Sequence, residues 1–209
     1  MKTPLLAAAL TFAAAAALTF GAAPDAAAAA TVGQPAPAFR LVDSSGTTRS
    51  LADFAGKTVV LEWTNHECPF VKKHYGSGNM QAQQRDATAK GVVWLSVNSS
   101  APGNQGHVDG AAAERVRSQA RAAQTAYLLD PDGTAGRAYG AKTTPHMYVI
   151  DPKGVLRYAG GIDSIPSPNP ADIAKATQYV PQALAELAAG KPVSVSVTRP
   201  YGCSVKYAN

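Results

Sequence analysis

Hydrophobic and β-branched residues gather in short runs that alternate with longer polar or alanine-rich stretches. Two of these runs, residues 58–64 (TVVLEWT) and 91–98 (GVVWLSVN), are apolar enough to form strands that are buried on both faces. The stretch between them, residues 69–90, has a helical composition that is interrupted by a Gly-Ser-Gly sequence at 76–78. A strand, a helical stretch and a second strand in this order predict a crossover between two parallel strands.

The segments on either side of this unit predict further short elements. Before it, a polar turn at 43–46 closes a hairpin, and residues 51–54 form a helical turn. After it we expect strands at 127–129, 147–150 and 155–158, helices at 111–124 and 171–189, and a short helix that ends near Gly140. The last two strands flank a turn and predict an antiparallel hairpin at a sheet edge. The order predicts one α/β domain over residues 31–192, followed by an extended tail over 193–209.

The first 30 residues have the composition of a secretory signal. Lys2 precedes an apolar run from about residue 4 to residue 20, and small residues follow up to Ala30. We therefore predict that residues 1–30 are removed and that the mature chain is exported, as a soluble periplasmic protein without a membrane partner. The alternative is a retained membrane anchor, which the shortness of the apolar run disfavours because a spanning helix needs about 20 residues.

Charge and composition exclude several kinds of partner. The chain of 209 residues has 19 basic and 14 acidic side chains, and the basic ones are scattered without interleaved aromatic residues. A nucleic-acid platform needs both, so no nucleic-acid partner is expected. Lys72 and Lys73 are interpreted as solvated, and His74 and His107 as facing solvent. No nucleotide-binding or zinc-binding spacing occurs in the sequence, and we expect no organic cofactor.

Two cysteines, Cys68 and Cys203, carry the candidate chemistry. Export places them where a disulfide persists. Cys68 stands where the first strong strand gives way to a helix, and Pro69 suits the first turn of that helix. The unpaired N–H groups and positive end of a helix lower the pKa of a thiol, which favours a reactive thiolate at Cys68. The alternative is an inert buried thiol or one half of a structural disulfide.

Cys203 has three interpretations. A bridge to Cys68 would close a loop of about 135 residues, and chain entropy would then contribute roughly 4 to 5 kcal/mol, enough for a purely structural role. Alternatively, Cys203 is a resolving thiol on a mobile C-terminal segment that attacks an oxidised Cys68, with Gly202 permitting the close approach. In the third interpretation Cys203 acts from a partner subunit. We favour the resolving role.

Four motifs resemble the redoxin group of the AhpC/TSA superfamily: VGQPAPAF at 32–39, NHECPFVKKHY at 65–75, TTPHMYVIDPKG at 143–154 and GCSVKY at 202–207. The resemblance implies a thioredoxin-like, peroxiredoxin-like fold, which is a three-layer α/β/α sandwich with a mixed sheet. It also implies a cis peptide bond before Pro145, opposite Cys68, where the proline shapes the substrate groove. Val71 stands where a thioredoxin has its second cysteine, so Cys203 would have to replace it. Asn65 stands where a typical peroxiredoxin has Thr or Ser.

These features predict an exported thiol oxidoreductase. The Cys68 thiolate attacks a peroxide or a protein or small-molecule disulfide, Cys203 resolves the product, and Pro145 and Asn65 shape the site. A thiol reductant completes the cycle, and the sequence leaves the oligomeric state open. Asn65 either hydrogen-bonds in the Cys68 region or caps the turn.

The alternative function is a non-catalytic binding module in which a Cys68–Cys203 disulfide is structural and the ligand is a protein or a soft metal. A thiol, imidazole and thioether set suits Cu(I), and the candidate ligands are Cys68, His66, His146 and Met147. Against this, Met147 reads as a core strand residue and His146 as an ordinary groove or surface residue. We favour this second interpretation of the two residues, so no metal is expected.

Overall fold

A computed structural model describes residues 30–208, so all of the predicted signal segment except Ala30 lies outside the described residues. The strands of the described part are β1 (Arg40–Asp43), β2 (Thr48–Ser50), β3 (Val59–Trp63), β4 (Val93–Asn98), β5 (Ala126–Leu129), β6 (Thr143–Thr144), β7 (His146–Ile150), β8 (Leu156–Gly160) and β9 (Cys203–Ser204). The α-helices are α1 (Pro69–Gly76), α2 (Asn79–Ala89), α3 (Gly110–Gln119), α4 (Thr134–Tyr139) and α5 (Tyr179–Ala188), with 3-10 helices over Leu51–Phe54 and Pro170–Lys175. Among these described helices, none has both the length and the apolar character that crossing a membrane requires.

Seven strands form one mixed sheet in the order β2-β1-β5-β4-β3-β7-β8. β3 and β4 are parallel, with Leu61 opposite Leu95, which confirms the predicted crossover through α1 and α2. β3 is antiparallel to β7, and β7 is antiparallel to β8 at the edge of the sheet, as the hairpin pattern predicts. β1 and β2 form the predicted N-terminal hairpin.

Each face of the sheet carries its own core. On one face, α2 and α5 contribute Met80 and Val180 to a cluster with Trp94. On the other face, Tyr139 of α4 and Phe54 of the first 3-10 helix pack with the strand residues whose side chains point to that face. Helices on both sides of a mixed sheet confirm the predicted three-layer α/β/α sandwich.

Two predicted helices are shorter in the structure because groups outside each helix form hydrogen bonds with its backbone. The helix predicted at 111–124 ends at Gln119, where Gln81 of α2 donates to the carbonyl oxygen of Ala120 at 2.7 Å. The helix predicted at 171–189 is broken between its 3-10 and α-helical parts. There the N–H of Ser164 donates to the Thr177 carbonyl and the N–H of Tyr179 to the Ile162 carbonyl. Pairing with the 162–164 loop replaces the helical hydrogen bonds.

Candidate active site

Cys68 is the residue that immediately precedes α1, at the point where the chain leaves β3. Pro69 occupies the first position of the helix, as predicted. The backbone N–H of Cys68 donates to the carbonyl oxygen of Asn65 at 3.0 Å, which fixes the turn before the helix. The Cys68 side chain has no exposed surface, and its thiol donates to the carbonyl oxygen of Thr144 at 3.2 Å. The nucleophile predicted from the sequence is therefore at a helix N-terminus but is covered.

The segment that carries Cys203 is β9, which pairs with β6 so that Cys203 lies opposite Thr144, the residue whose carbonyl oxygen accepts from the Cys68 thiol. The peptide bond from Thr144 to Pro145 is cis, which confirms the expected cis bond before Pro145. Gly202 has φ +132°, and a Cβ on it would come within 2.0 Å of the Thr144 carbonyl oxygen. Only glycine permits this approach. The fold thus brings Cys68, Cys203 and Pro145, three of the predicted site residues, to one place.

The two thiols differ in their electrostatic environment. Burial alone would raise the pKa of Cys68, but hydrogen bonds from the Cys203 thiol and from the backbone N–H groups of Val71 and Cys203 outweigh burial and lower it. The pKa of Cys203 rises to about 11, first because of burial and then because of its hydrogen bond and negative neighbour at Cys68. When the pair loses one proton, the charge therefore resides on Cys68 and the remaining proton on Cys203.

The tail that carries Cys203 is anchored on both sides of the cysteine, whereas the sequence predicted a mobile segment. After Cys203, the N–H of Val205 donates to the Lys142 carbonyl at 3.0 Å, and the hydroxyl of Tyr207 donates to the Ala141 carbonyl at 2.8 Å. Before it, the Tyr201 hydroxyl donates to Asp163. These bonds hold the tail against the domain over the residues that flank the sulfur.

Tyr201 belongs to a buried polar cluster that the sequence analysis did not predict. We call it the tail cage; its members are Lys73, His74, Asp163 and Tyr201. Lys73 Nζ lies 3.1 Å from Asp163 Oδ2, and both side chains have no exposed surface. His74 Nε2 lies 3.3 Å from the Tyr201 hydroxyl. Burial, with Lys73 nearby, lowers the pKa of His74 to about 4 although Asp163 opposes the shift, so the imidazole is neutral at neutral pH.

The solvent-facing interpretation of Lys73 and His74 is therefore wrong. Both lie on the inner face of α1, where the 163–165 loop and the tail cover them: Lys73 also donates to the Ile165 carbonyl at 3.2 Å. Lys72, one residue earlier, is exposed as predicted. His107 is partly buried, and its ring nitrogen lies 2.9 Å from the Ser100 carbonyl oxygen. The spacing of residues along α1 distinguishes buried from exposed positions, but only partners that are distant in the chain explain why polar side chains occupy the buried positions.

Asn65 and His66 lie in the loop that leads to Cys68. The Asn65 side chain is buried; its Oδ1 accepts from the N–H of Glu67 at 2.9 Å, and its Nδ2 donates to the Gln105 carbonyl at 3.2 Å. Asn65 thus joins this loop to the 105–106 loop and caps the turn that leads to Cys68, as the capping interpretation predicted. His66 is partly exposed, with Nε2 at 3.9 Å from the Glu67 carboxylate.

The four candidate metal ligands do not gather. Met147 packs in the core with Val60 and Trp94, as its core interpretation predicted, whereas alternation along β7 turns His146 to the opposite face, beside Tyr148. His146 is buried rather than at a groove or surface, its Nδ1 accepts from the Lys142 N–H at 3.3 Å, and burial lowers its pKa to about 4. Across residues 30–208, no three His, Cys, Asp or Glu side chains form a group that could hold a metal ion.

The sequence interpretation missed a second buried acid, Glu62. Glu62 of β3 accepts hydrogen bonds from four neutral donors: Trp94 Nε1 at 2.8 Å, Tyr75 Oη at 2.8 Å, Ser96 Oγ at 3.0 Å and Gln84 Nε2 at 3.2 Å. Burial outweighs these bonds and raises its pKa. The signal was visible, since Glu62 is the one charged residue in the otherwise apolar run at 58–64.

Comparisons with known proteins agree with this geometry. The AhpC/TSA family matches residues 32–159. A curated protein named thiol:disulfide interchange protein DsbE from Pseudomonas aeruginosa is 28% identical over 131 residues, which are 62% of this chain and 66% of that protein. The chain thus spans slightly less than two thirds of that relative.

Solved structures show the same fold. An uncharacterized conserved protein from Geobacillus kaustophilus is 25% identical, with a TM-score of 0.72 over 85% of this chain and 93% of that one. A candidate thiol:disulfide interchange protein DsbE from Chlorobium tepidum is 26% identical, with a TM-score of 0.52 over 63% and 85%. The fold is thioredoxin-like, and the chain belongs to the AhpC/TSA family.

Proposed function

We propose that this chain is an exported thiol:disulfide oxidoreductase whose redox centre is the Cys68–Cys203 pair. The observation that carries the proposal is that both cysteines meet at Thr144 beside the N-terminus of α1: the Cys68 thiol donates to the Thr144 carbonyl oxygen at 3.2 Å, and Cys203 lies opposite Thr144 in the pairing of β6 with β9. Oxidation joins the two sulfurs and releases two electrons and two protons to the substrate. No organic cofactor is needed for this chemistry.

The other site residues support the pair rather than react. Pro145 follows the Thr144 carbonyl that accepts from Cys68, so it shapes the wall against which both sulfurs lie. Asn65 fixes the loop before Cys68 through its bonds to Glu67 and Gln105. Export is proposed from the composition of residues 1–30, and it would supply an oxidising compartment in which the pair can cycle.

We propose protein or small-molecule disulfides and dithiols as substrates, in preference to peroxides. The relative from Pseudomonas aeruginosa carries the name of a thiol:disulfide interchange protein, which supports this substrate class. The arrangement of Cys68 supports it as well, because the sulfur has no exposed surface and bonds to Thr144, which pairs with the segment that holds a second thiol. Such a pair is suited to forming and opening an internal disulfide.

The test measures the redox potential of the pair in the purified mature protein. The protein is equilibrated in graded thiol buffers, and the Cys68–Cys203 linkage is quantified by mass spectrometry. We expect reversible reduction between roughly −120 and −270 mV, the range of working oxidoreductases. A bridge that stays intact below about −300 mV would indicate a structural staple, and the binding-module alternative would then be correct.

A second measurement separates the substrate classes. Turnover is followed with a peptide disulfide and, separately, with hydrogen peroxide, for the wild type and for Cys68→Ser. We expect disulfide exchange in the wild type and its loss in Cys68→Ser, with the fold retained by circular dichroism. Peroxide consumption that depends on Cys68, without disulfide exchange, would favour the peroxide alternative.

A further inference from the structure

The two sulfurs of the proposed redox pair are not equally accessible. Cys68 has no exposed surface and bonds to Thr144, which pairs with Cys203 of β9. Cys203 is partly exposed and is followed by the exposed Ser204. The sequence pattern predicted that Cys68 meets the substrate and that Cys203 resolves the product. The observed burial favours the opposite order.

Access to Cys68 would require the tail to leave the domain. The contacts on both sides of Cys203 oppose this movement: Tyr201 is held in the tail cage, and Val205 and Tyr207 bond to the segment before β6. Gly202 lies so close to the Thr144 carbonyl that a methyl group would not fit between them. An incoming thiol therefore meets Cys203 first.

Resting on the function proposed above, we propose that substrates exchange at Cys203 and that Cys68 is the internal sulfur of the pair. In the oxidised protein, a substrate thiolate attacks Cys203 Sγ and forms a mixed disulfide with it. The Cys68–Cys203 bond breaks, and its electron pair leaves on Cys68 as a thiolate. The second thiolate of the substrate dithiol then attacks the substrate sulfur of the mixed disulfide, which oxidises the dithiol by two electrons and releases Cys203 to take up a proton.

The environment of Cys68 suits it to be the leaving group. Thiol–disulfide exchange is faster when the departing thiol has the lower pKa. Cys68 has the lowered pKa of the two, and the N–H groups of Val71 and Cys203 are placed to receive its charge. Access and leaving-group stability select the same sulfur.

The reverse reaction follows the same path. In the reduced protein the charge of the pair lies on Cys68. When this form acts on a substrate disulfide, the Cys68 thiolate takes the proton of Cys203, and the resulting Cys203 thiolate attacks the disulfide and expels one substrate thiolate, which takes up that proton. The Cys68 thiolate then attacks Cys203 Sγ, forms the internal disulfide and expels the second substrate thiolate. Cys68 is thus the resolving sulfur in this direction, and the substrate that is accommodated must fit the surface around Cys203 rather than the N-terminus of α1.

The test locates the first mixed disulfide in the wild-type protein. Oxidised protein is mixed with excess glutathione, samples are quenched with acid at early times, and the remaining thiols are alkylated in denaturant before peptide mapping. We expect the glutathione adduct on Cys203 to exceed that on Cys68 by at least about tenfold in the earliest samples, because access and leaving-group pKa act together. Half or more of the adduct on Cys68 would overturn the proposal.

Controls distinguish this result from failure of the proposed function. Cys68→Ser and Cys203→Ser, each glutathionylated in denaturant, calibrate the detection of both adducts, so loss of folding in either variant does not affect the measurement. A disulfide that forms and is reduced, with the adduct on Cys68, overturns the assignment to Cys203 and leaves the redox pair intact. Absence of a reducible Cys68–Cys203 disulfide overturns both proposals.

Discussion

Two buried carboxyl groups, Asp163 in the tail cage and Glu62 in the sheet, are stabilised in different ways. Asp163 is paired with a cation, Lys73, and its partners come from α1, the loop after β8 and the tail. Glu62 has neutral donors only, all from the adjacent elements α1, α2 and β4. The cage therefore joins distant segments through charge, whereas the Glu62 cluster joins neighbours through neutral hydrogen bonds.

This difference determines what each cluster can do. An ion pair without exposed surface is costly to break, because the remaining charge stays buried. The cage therefore suits a positioning role, and what it positions is the tail that brings Cys203 to Cys68. The Glu62 cluster connects β3 to the helices that follow it, so it supports the frame on which Cys68 is placed. The predictions below separate the two roles.

Removing the cation of the cage should have the largest effect. Lys73→Met leaves the Asp163 carboxylate buried without its cation, and we expect a loss of about 3 to 5 kcal/mol in the free energy of unfolding, measured with urea. The double variant Lys73→Met/Asp163→Asn removes both charges and should recover much of that loss. A double variant as unstable as Lys73→Met would show that the lysine contributes packing rather than charge.

The cage also shows where sequence analysis reaches its limit. The crossover through α1, the helix-terminal position of Cys68 and the edge hairpin follow from local patterns of apolar residues, glycines and prolines, and each is observed. The cis bond at Pro145 followed from the family resemblance. The bond from Lys73 to Asp163 spans 90 residues and that from Lys73 to Tyr201 spans 128, and no local periodicity encodes such pairs.

Cys203 illustrates the same limit within the site. The sequence identified it as the second sulfur and placed it on a mobile C-terminal segment, with Gly202 permitting its close approach to Cys68. Its anchoring depends on β9 pairing with β6 and on side chains such as Tyr201 and Tyr207, whose partners are remote in the chain. Glu62 was different: a lone acid in a buried strand is a local signal, and it could have been recognised.

Acid should weaken the cage through His74. The folded-state pKa of His74 is about 4, below the ordinary value of 6.5. Between these values the unfolded chain binds a proton that the folded chain does not, so the free energy of unfolding falls as the pH drops from 6.5 to 4. The shift corresponds to a loss of about 3 kcal/mol.

Equilibrium unfolding of the wild type and His74→Gln across this pH range measures the effect. The free energy of unfolding of His74→Gln should lack the part of the pH dependence that His74 contributes in the wild type. His146→Gln is the matched control, because burial also lowers the pKa of His146 to about 4 although it lies on the other face of the sheet. An unchanged slope in His74→Gln would contradict the buried neutral state of this histidine.

Glu62 should give a pH dependence of a different kind. Its folded-state pKa lies above the ordinary value of 4.5, so the contribution of its neutral form is complete below that pH and is lost as the pH rises through the folded-state pKa. The side chain in Glu62→Gln cannot ionise. Its NH2 group, however, faces hydrogen-bond donors at a position where a carboxyl oxygen of the wild type accepts. We expect the variant to be less stable by about 1 to 3 kcal/mol at pH 4.

The difference between Glu62→Gln and the wild type should shrink as the pH increases, because only the wild type bears the buried charge. Parallel unfolding curves at pH 4 and pH 8 measure it. The redox potential is a second measurement, and we expect it to change less in Glu62→Gln than in Lys73→Met, since Glu62 does not hold the tail. A difference in stability that grows with pH would contradict the raised pKa.

The two tyrosines that flank Cys203 form a matched pair, and one of them, Tyr207, should give the smallest effect. Tyr201→Phe removes a hydroxyl that donates to the buried Asp163, and a hydrogen bond to a charged group contributes about 1.5 to 3 kcal/mol. Tyr207→Phe removes a bond to the neutral Ala141 carbonyl, which contributes about 0.5 to 1.5 kcal/mol. Urea unfolding of both variants compares charge-assisted with neutral anchoring of one tail.

The same two variants test whether anchoring sets access to Cys68. Loosening the tail at Tyr201 should raise the rate at which iodoacetamide alkylates Cys68 in the reduced protein, and by more than loosening it at Tyr207. The reason is that Tyr201 is bound to α1 through the cage, so it couples the tail to the helix that carries Cys68. Equal rates in both variants and the wild type would mean that β9 pairing with β6 is sufficient to keep Cys68 covered, and that the cage stabilises the fold without guarding the thiol.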